Sequence, residues 1–132
     1  MHNTGRCLCG AVTFEVEGPP IRMAQCHCDA CRRQSGTGHI VNAFFNSSQV
    51  KITGETKYYE FVADSGRIRH RHFCPNCGSR LFGMGPDTPE RIGIAVGAFD
   101  NSDWFKPEVI VFGGQRPVWD HDHPEVEVRE KS

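Results

Sequence analysis

Seven cysteines gathered into three short clusters constrain this chain of 132 residues more than any other feature. Cys7 and Cys9 form a Cys-x-Cys step near the start, Cys26, Cys28 and Cys31 fall within six residues, and Cys74 and Cys77 stand in Cys74-Pro75-Asn76-Cys77-Gly78. A Cys-x-Cys step in extended backbone cannot comfortably close as a disulfide. It can, however, turn both sulfurs toward one cation at about 2.3 Å per Zn–S bond. An odd number of clustered thiols points the same way, to metal ligation or catalysis in a reducing compartment.

Ligand counting then shares out the thiols. Structural zinc is four-coordinate and closed, while catalytic zinc keeps one position open. The simplest sharing pairs Cys7 and Cys9 with Cys74 and Cys77 and leaves Cys26, Cys28 and Cys31 as an open three-ligand site. The other sharing, in which Cys26 and Cys28 join one of the outlying pairs as a ribbon, leaves an awkward remainder of three, and the first is preferred. Two Zn2+ ions per chain follow, one structural and one catalytic. The structural one would tie the N-terminal segment to a distant loop and contribute on the order of 10 kcal/mol of apparent binding free energy. Gly10 permits a turn close to a metal, and Gly78 allows the left-handed residue that closes a Cys-Pro-x-Cys-Gly knuckle.

The rest of the chain reads as short strands. Val12, Phe14 and Val16 alternate with polar residues up to Gly18-Pro19-Pro20, which predicts a half-buried strand. Further strands are expected over 39–45, 50–53, 57–62, 67–73, 80–84, 91–97 and 108–112, with a brief helical turn over 29–34. A single domain over 1–132 is expected, its core running from about 5 to 119 and a polar tail from Asp120 to Ser132. Formal charge is −1 and the isoelectric point about 6.6, so no global basic field marks a nucleic-acid or anionic-membrane partner. The N-terminus lacks the apolar run of a secretory leader and no stretch reaches the length of a membrane span, so a cytoplasmic protein is expected.

Arg67, Arg69 and Arg71 are the only basic concentration and read as a solvated strand face. His27, between two ligands, is expected to point away from the metal. His39, His70 and His72 read equally as strand-face residues or proton carriers. Asp100 reads as a turn cap, and Trp104, Phe105 and Trp119 as core or lid residues.

Taken together, Gly5-Arg6-Cys7-x-Cys9-Gly10-Ala11-Val12, Cys26-His27-Cys28-x-x-Cys31-Arg32, Phe73-Cys74-x-x-Cys77-Gly78 and Val96-Gly97-Ala98-Phe99-Asp100 resemble the glutathione-dependent formaldehyde-activating (Gfa-like) family. The likeness runs from about Gly5 to Trp119, and Arg116-Pro117-Val118-Trp119 is similar to that family's closing segment. It implies a mainly β fold of folded antiparallel sheets, the β-tent type, stapled by zinc. By position it assigns Cys7, Cys9, Cys74 and Cys77 to the structural site and Cys26, Cys28 and Cys31 to the catalytic one. The activity implied is condensation of formaldehyde with glutathione to S-hydroxymethylglutathione, a carbon–sulfur lyase reaction read in reverse. Its partners would be glutathione or an analogue and an aldehyde.

Three thiolates leave a zinc ion with a net charge near −1, which weakens it as a Lewis acid, so holding a substrate thiol is easier to defend than activating water. Arg32 and Arg33 are placed to pair with glutathione's carboxylates. Two other classes remain open on the sequence. One is a non-catalytic zinc-stapled binding module, as in related exchange-factor scaffolds; the other is a redox role for the clustered thiols, which requires the zinc to leave easily.

Overall fold

The computed structural model describes residues 1–121 and 124–132. Its strands are β1 (His2–Arg6), β2 (Thr13–Glu17), β3 (Arg22–Cys26), β4 (Ile40–Asn46), β5 (Val50–Thr53), β6 (Lys57–Val62), β7 (Ile68–Phe73), β8 (Arg80–Met84), β9 (Arg91–Ala95), β10 (Val109–Val111) and β11 (Glu127–Val128). One α-helix, α1 (Asp29–Ser35), stands among the described residues, with short 3-10 turns elsewhere. The protein is therefore mainly β.

A small antiparallel sheet has the order β1-β2-β5, and a large one the order β11-β10-β3-β4-β9-β8-β7-β6. Most pairs in the large sheet are antiparallel. The exception is β10, which runs parallel to β3 on one side and to β11 on the other, so this sheet is mixed. Parallel neighbours need a long return connection, and β3 and β10 lie far apart in the chain.

Alternation decides which side chains meet. In β2, Phe14 and Val16 are buried while Thr13, Glu15 and Glu17 are exposed, as the period-2 pattern predicts. These residues face Ala43 and Phe45 of β4 and Ile92 and Ile94 of β9, so the core lies between the two sheets. Phe99 stands edge-on to both Phe14, at 5.1 Å, and Trp104, at 5.0 Å. Gly5 makes this packing possible: a Cβ there would lie 2.1 Å from the Phe14 ring and 2.5 Å from the Ala98 carbonyl oxygen. Trp104 packs against the core, whereas Trp119 stays 60% exposed.

Two strands carry no apolar alternation. β1 is held by pairing with β2 and by backbone and side-chain hydrogen bonds between Thr4 and Asp100. β11 lies within the stretch read as a polar tail, and bonds from Arg129 N–H to the Ile110 carbonyl and from Gly113 N–H to the Arg129 carbonyl, both 2.7 Å, build it into the sheet. No helix of the described residues is long and apolar enough to cross a membrane.

Candidate metal centres

Cys7 and Cys9 flank the turn after β1, and Cys74 and Cys77 sit on the turn between β7 and β8. The four Sγ atoms all lie within 4.8 Å of one another. Cys7 to Cys9 is 3.6 Å and Cys9 to Cys74 is 3.8 Å. A tetrahedral ion with four bonds of about 2.3 Å requires sulfurs about 3.8 Å apart, so the donor set fits zinc. Gly10 and Gly78 both adopt positive φ, at 82° and 78°, where the two turns close. Backbone N–H groups of Val12 and Asn76 point at the sulfurs of Cys7 and Cys74, at 3.3 and 3.4 Å, and the Ser79 hydroxyl lies 3.2 Å from Cys77 Sγ. Such donors offset thiolate charge, and the hydrogen bonds from Ser79 pull the Cys77 thiol down to about 5. Cys7 and Cys74 are buried, and Cys9 is exposed at the surface.

The second cluster forms where β3 runs into α1. Cys26 ends the strand, Cys28 caps the helix and Cys31 lies buried in it. The Cys28 sulfur accepts the Cys31 N–H at 3.4 Å, a cap in which sulfur replaces the usual oxygen. Gly36, at φ 74°, ends the helix in the left-handed conformation. The three Sγ atoms again lie within 4.8 Å of one another, so these sulfurs also fit a thiophilic ion, with three donors in place of four. Mutual hydrogen bonding with Cys26 and Cys31 holds the Cys28 thiol well below its ordinary range, while the same contacts push Cys26 up.

Arginines crowd this cluster. Arg71 Nη2 donates to Cys31 Sγ at 3.2 Å, and its Nη1 donates to Gln34 on α1 at 2.9 Å. Arg80 reaches across the sheet to Asn42 Oδ1 at 2.9 Å. Burial, followed by the charge of Arg71, lowers Arg80 to about 10, so it stays charged at neutral pH. The reading of Arg71 as part of a solvated face is thereby corrected: a period-2 pattern shows which side of a strand a residue takes, and only the tertiary fold shows that α1 lies over that side. Arg80 carried no signal, being a lone basic residue at a strand start.

His27 points away from the sulfurs, as expected, and is completely buried. Its Nδ1 must carry a proton, because it lies 2.9 Å from the Gly38 carbonyl, which only accepts; the Gln25 amide then donates to Nε2 at 3.1 Å. His39 donates from Nδ1 to Asp120 Oδ2 at 2.6 Å. Although donor atoms of His27, His39 and Asp120 lie close enough for an ion, both His27 nitrogens are occupied, and the two histidines hold the Asp120 carboxylate in place. Gly38 leaves room for it, since a Cβ there would meet the Asp120 carboxylate at 2.3 Å.

His70 and His72 are strand-face residues. His70 binds Glu60 at 2.8 Å, and His72 stacks on Phe82 while bonding Thr56. Asp100 does not cap its turn; it binds Thr4, and Asn101 accepts the Asp103 N–H instead. Arg32 and Arg33 lie on the outer side of α1, both paired with Asp29, at 2.8 and 2.9 Å, and Arg33 is 70% exposed.

Two hollows adjoin the clusters. The larger, about 540 Å³, lies by Cys7 and is bordered by Arg6, Ser79, Arg80 and Asp100. A smaller one of about 320 Å³ is lined by Gln34, Tyr59, Arg71, His72, Phe73 and Arg80. Because Gln34 and Arg71 contact each other and Arg71 touches Cys31, the smaller hollow opens beside the three-sulfur cluster, the one with a coordination position to spare.

Comparison with known proteins agrees with this arrangement. The family described as glutathione-dependent formaldehyde-activating enzyme matches residues 2–115. A Halomonas elongata protein, provisionally named a glutathione-dependent formaldehyde-activating enzyme, is 32% identical over 133 residues, covering 96% of this chain and 82% of the relative. A crystal structure of a Rhodobacter sphaeroides protein superposes with a TM-score of 0.58 at 25% identity, over 74% of this chain and 88% of that one. With both cysteine clusters assembled as ligand counting required and the match spanning nearly its whole length, the chain belongs to the glutathione-dependent formaldehyde-activating enzyme family.

Proposed function

We propose that this protein is a zinc-dependent enzyme of the carbon–sulfur lyase type that joins formaldehyde to glutathione, giving S-hydroxymethylglutathione, or acts on a related thiol adduct. One Zn2+ is assigned to Cys7, Cys9, Cys74 and Cys77 as a structural staple, and a second to Cys26, Cys28 and Cys31 as the catalytic ion. The whole chain works as one domain of β-tent type in the reducing cytoplasm. The observation that carries the reading is the three-sulfur cluster, one donor short of closure, beside a hollow of about 320 Å³.

Bound there, Zn2+ would offer its fourth position to a substrate thiol and favour the thiolate. The chain's own residues do the rest. Arg71 places a positive charge on Cys31 Sγ, offsetting the negative charge of three thiolates. The Cys31 N–H steadies the Cys28 sulfur. Arg32 and Arg33, with Asp29 between them, leave one net positive charge on the helix that carries Cys31, available to a substrate carboxylate. In the reaction the thiol sulfur bonds to the aldehyde carbon, the C=O π bond breaks, and the proton lost by sulfur ends on the new hydroxyl, so nothing else is consumed.

Exchange NMR of mixed formaldehyde and glutathione tests this. The zinc-loaded protein should speed formation of S-hydroxymethylglutathione, and Cys28→Ser should abolish the gain. Exchange no faster than in protein-free buffer would leave a zinc-stapled binding module as the better reading.

A further inference from the structure

The Cys26-His27-Cys28 step is held by its middle residue. Along extended backbone successive side chains point to opposite sides, so anchoring His27 inward turns both flanking sulfurs outward together. Cys26 ends β3, and Cys28 is extended at φ −62° and ψ 160°. The buried His27 is engaged on every side. Its Nδ1–H faces the Gly38 carbonyl at 2.9 Å and Asp120 Oδ2 at 3.3 Å, the Gln25 amide donates to its Nε2, and its backbone N–H donates to the Val111 carbonyl at 3.1 Å. With neither ring nitrogen left for a metal, this imidazole places its neighbours.

Three of the groups that hold this loop come from one stretch, residues 111–120. Beyond β10 the chain turns at Phe112, whose φ of 54° is the one positive value at a non-glycine among the described residues. Such a conformation persists only where surrounding contacts impose it. The 3-10 turn Gly113–Gln115 then brings Gln115 Oε1 to the Asp29 N–H at 3.0 Å, one of the amides that the start of α1 leaves without a partner inside the helix. Asp120 reaches the His27 ring, and the same Oδ2 takes the His39 Nδ1–H at 2.6 Å. The side chain of Asp120 is only 12% exposed. Its backbone is tied down as well: its N–H donates to the Pro117 carbonyl at 3.0 Å, and Arg116 donates to its carbonyl oxygen.

We infer that Asp120 and Gln115 are positioning residues for the three-sulfur centre: by fixing the His27 ring and the first amide of α1, they hold Cys26, Cys28 and Cys31 in ligating geometry before an ion arrives. This rests on the reading that an ion occupies those sulfurs, and it adds residues from outside the donor set. Three thiolates without an ion repel one another and would spread the loop; anchors behind the loop oppose that spreading. Donors already ordered by the fold also bind more tightly than donors the ion must order itself, and a centre with one donor fewer than the four-sulfur site depends on that difference more.

Chelator competition on the zinc-loaded protein measures the two ions separately, so the four-sulfur site serves as an internal control. Asp120→Ala should weaken the ion at Cys26, Cys28 and Cys31 about 10- to 100-fold, the range for hydrogen-bond partners standing behind a metal site, and leave the other ion within about twofold. Asp120→Asn keeps an acceptor oxygen of the same reach and should recover most of the loss. Cobalt(II) placed in the three-sulfur centre absorbs visible light according to the arrangement of its ligands, and its bands should shift in Asp120→Ala, which a general loss of stability would not cause. Gln115→Ala leaves the carboxylate untouched and should act in the same direction, so it carries the test if Asp120→Ala fails to fold, as thermal circular dichroism will show. Unchanged affinity and bands in the alanine variants, equal weakening of both sites, or an asparagine variant no better than alanine overturns the positioning role and leaves the two-ion reading intact. A single zinc per chain in the unmodified protein overturns both together.

Discussion

Cys28 and Cys74 are the same residue type in similar spacing, yet their surroundings give them different tasks. Cys74 is fully buried in a cluster that joins segments 65 residues apart, so removing its sulfur opens a long loop as well as a metal site. Cys28 closes only a local turn within one helix. Cys74→Ser should therefore lower the melting temperature by on the order of 10 °C or more and release the structural zinc, while Cys28→Ser keeps a near-native melt and loses the open-site ion. Thermal circular dichroism with metal analysis reads both. Gly5 is a second residue whose effect follows from contact alone. Gly5→Ala forces a methyl into the Phe14 ring and the Ala98 carbonyl, and should cost about 1–3 kcal/mol in urea unfolding by overpacking; an unchanged midpoint would mean that the ring moves aside freely.

Among the elements, those with apolar alternation were legible before folding was known. β2 shows it plainly, with Phe14 and Val16 inward, and β4 through β9 fall close to their expected bounds. The cysteine clusters were legible for a different reason: thiol chemistry at short spacing has few uses other than metal ligation, and Gly10 and Gly78 mark the turns. β1 and β11 were not legible, because backbone pairing to a neighbour already in place asks little of side chains. Nor were the contacts of Arg71 and Arg80, which depend on the register between β7, β8 and β9 and on where α1 docks. β11 yields its own prediction. Ending the chain at His121 removes the bond that the Arg129 N–H donates to the Ile110 carbonyl and the one that the Arg129 carbonyl accepts from the Gly113 N–H, and bares an edge of the large sheet. The melting temperature should fall by about 5 °C, with zinc content unchanged if the metal centres fold independently of that edge.

At the scale of the molecule, two sheets enclose the main core, one cysteine cluster joins distant segments of the chain beside that core, and the other lies next to Arg71. The two clusters differ in donor count, so their affinities for zinc should differ. Titration with a chelator should remove the ion at Cys26, Cys28 and Cys31 first and the other only with unfolding; one zinc per chain at saturation would break the four-plus-three sharing. The central claim is that the three-sulfur cluster takes a thiol as its missing ligand, and calorimetry of the zinc-loaded protein with glutathione and with S-methylglutathione meets it most directly. A thioether is a poor ligand in place of a thiolate, so glutathione should bind with release of a proton and S-methylglutathione at least about tenfold more weakly. Equal affinities for the two, or no binding of glutathione while zinc occupies that cluster, would contradict the account.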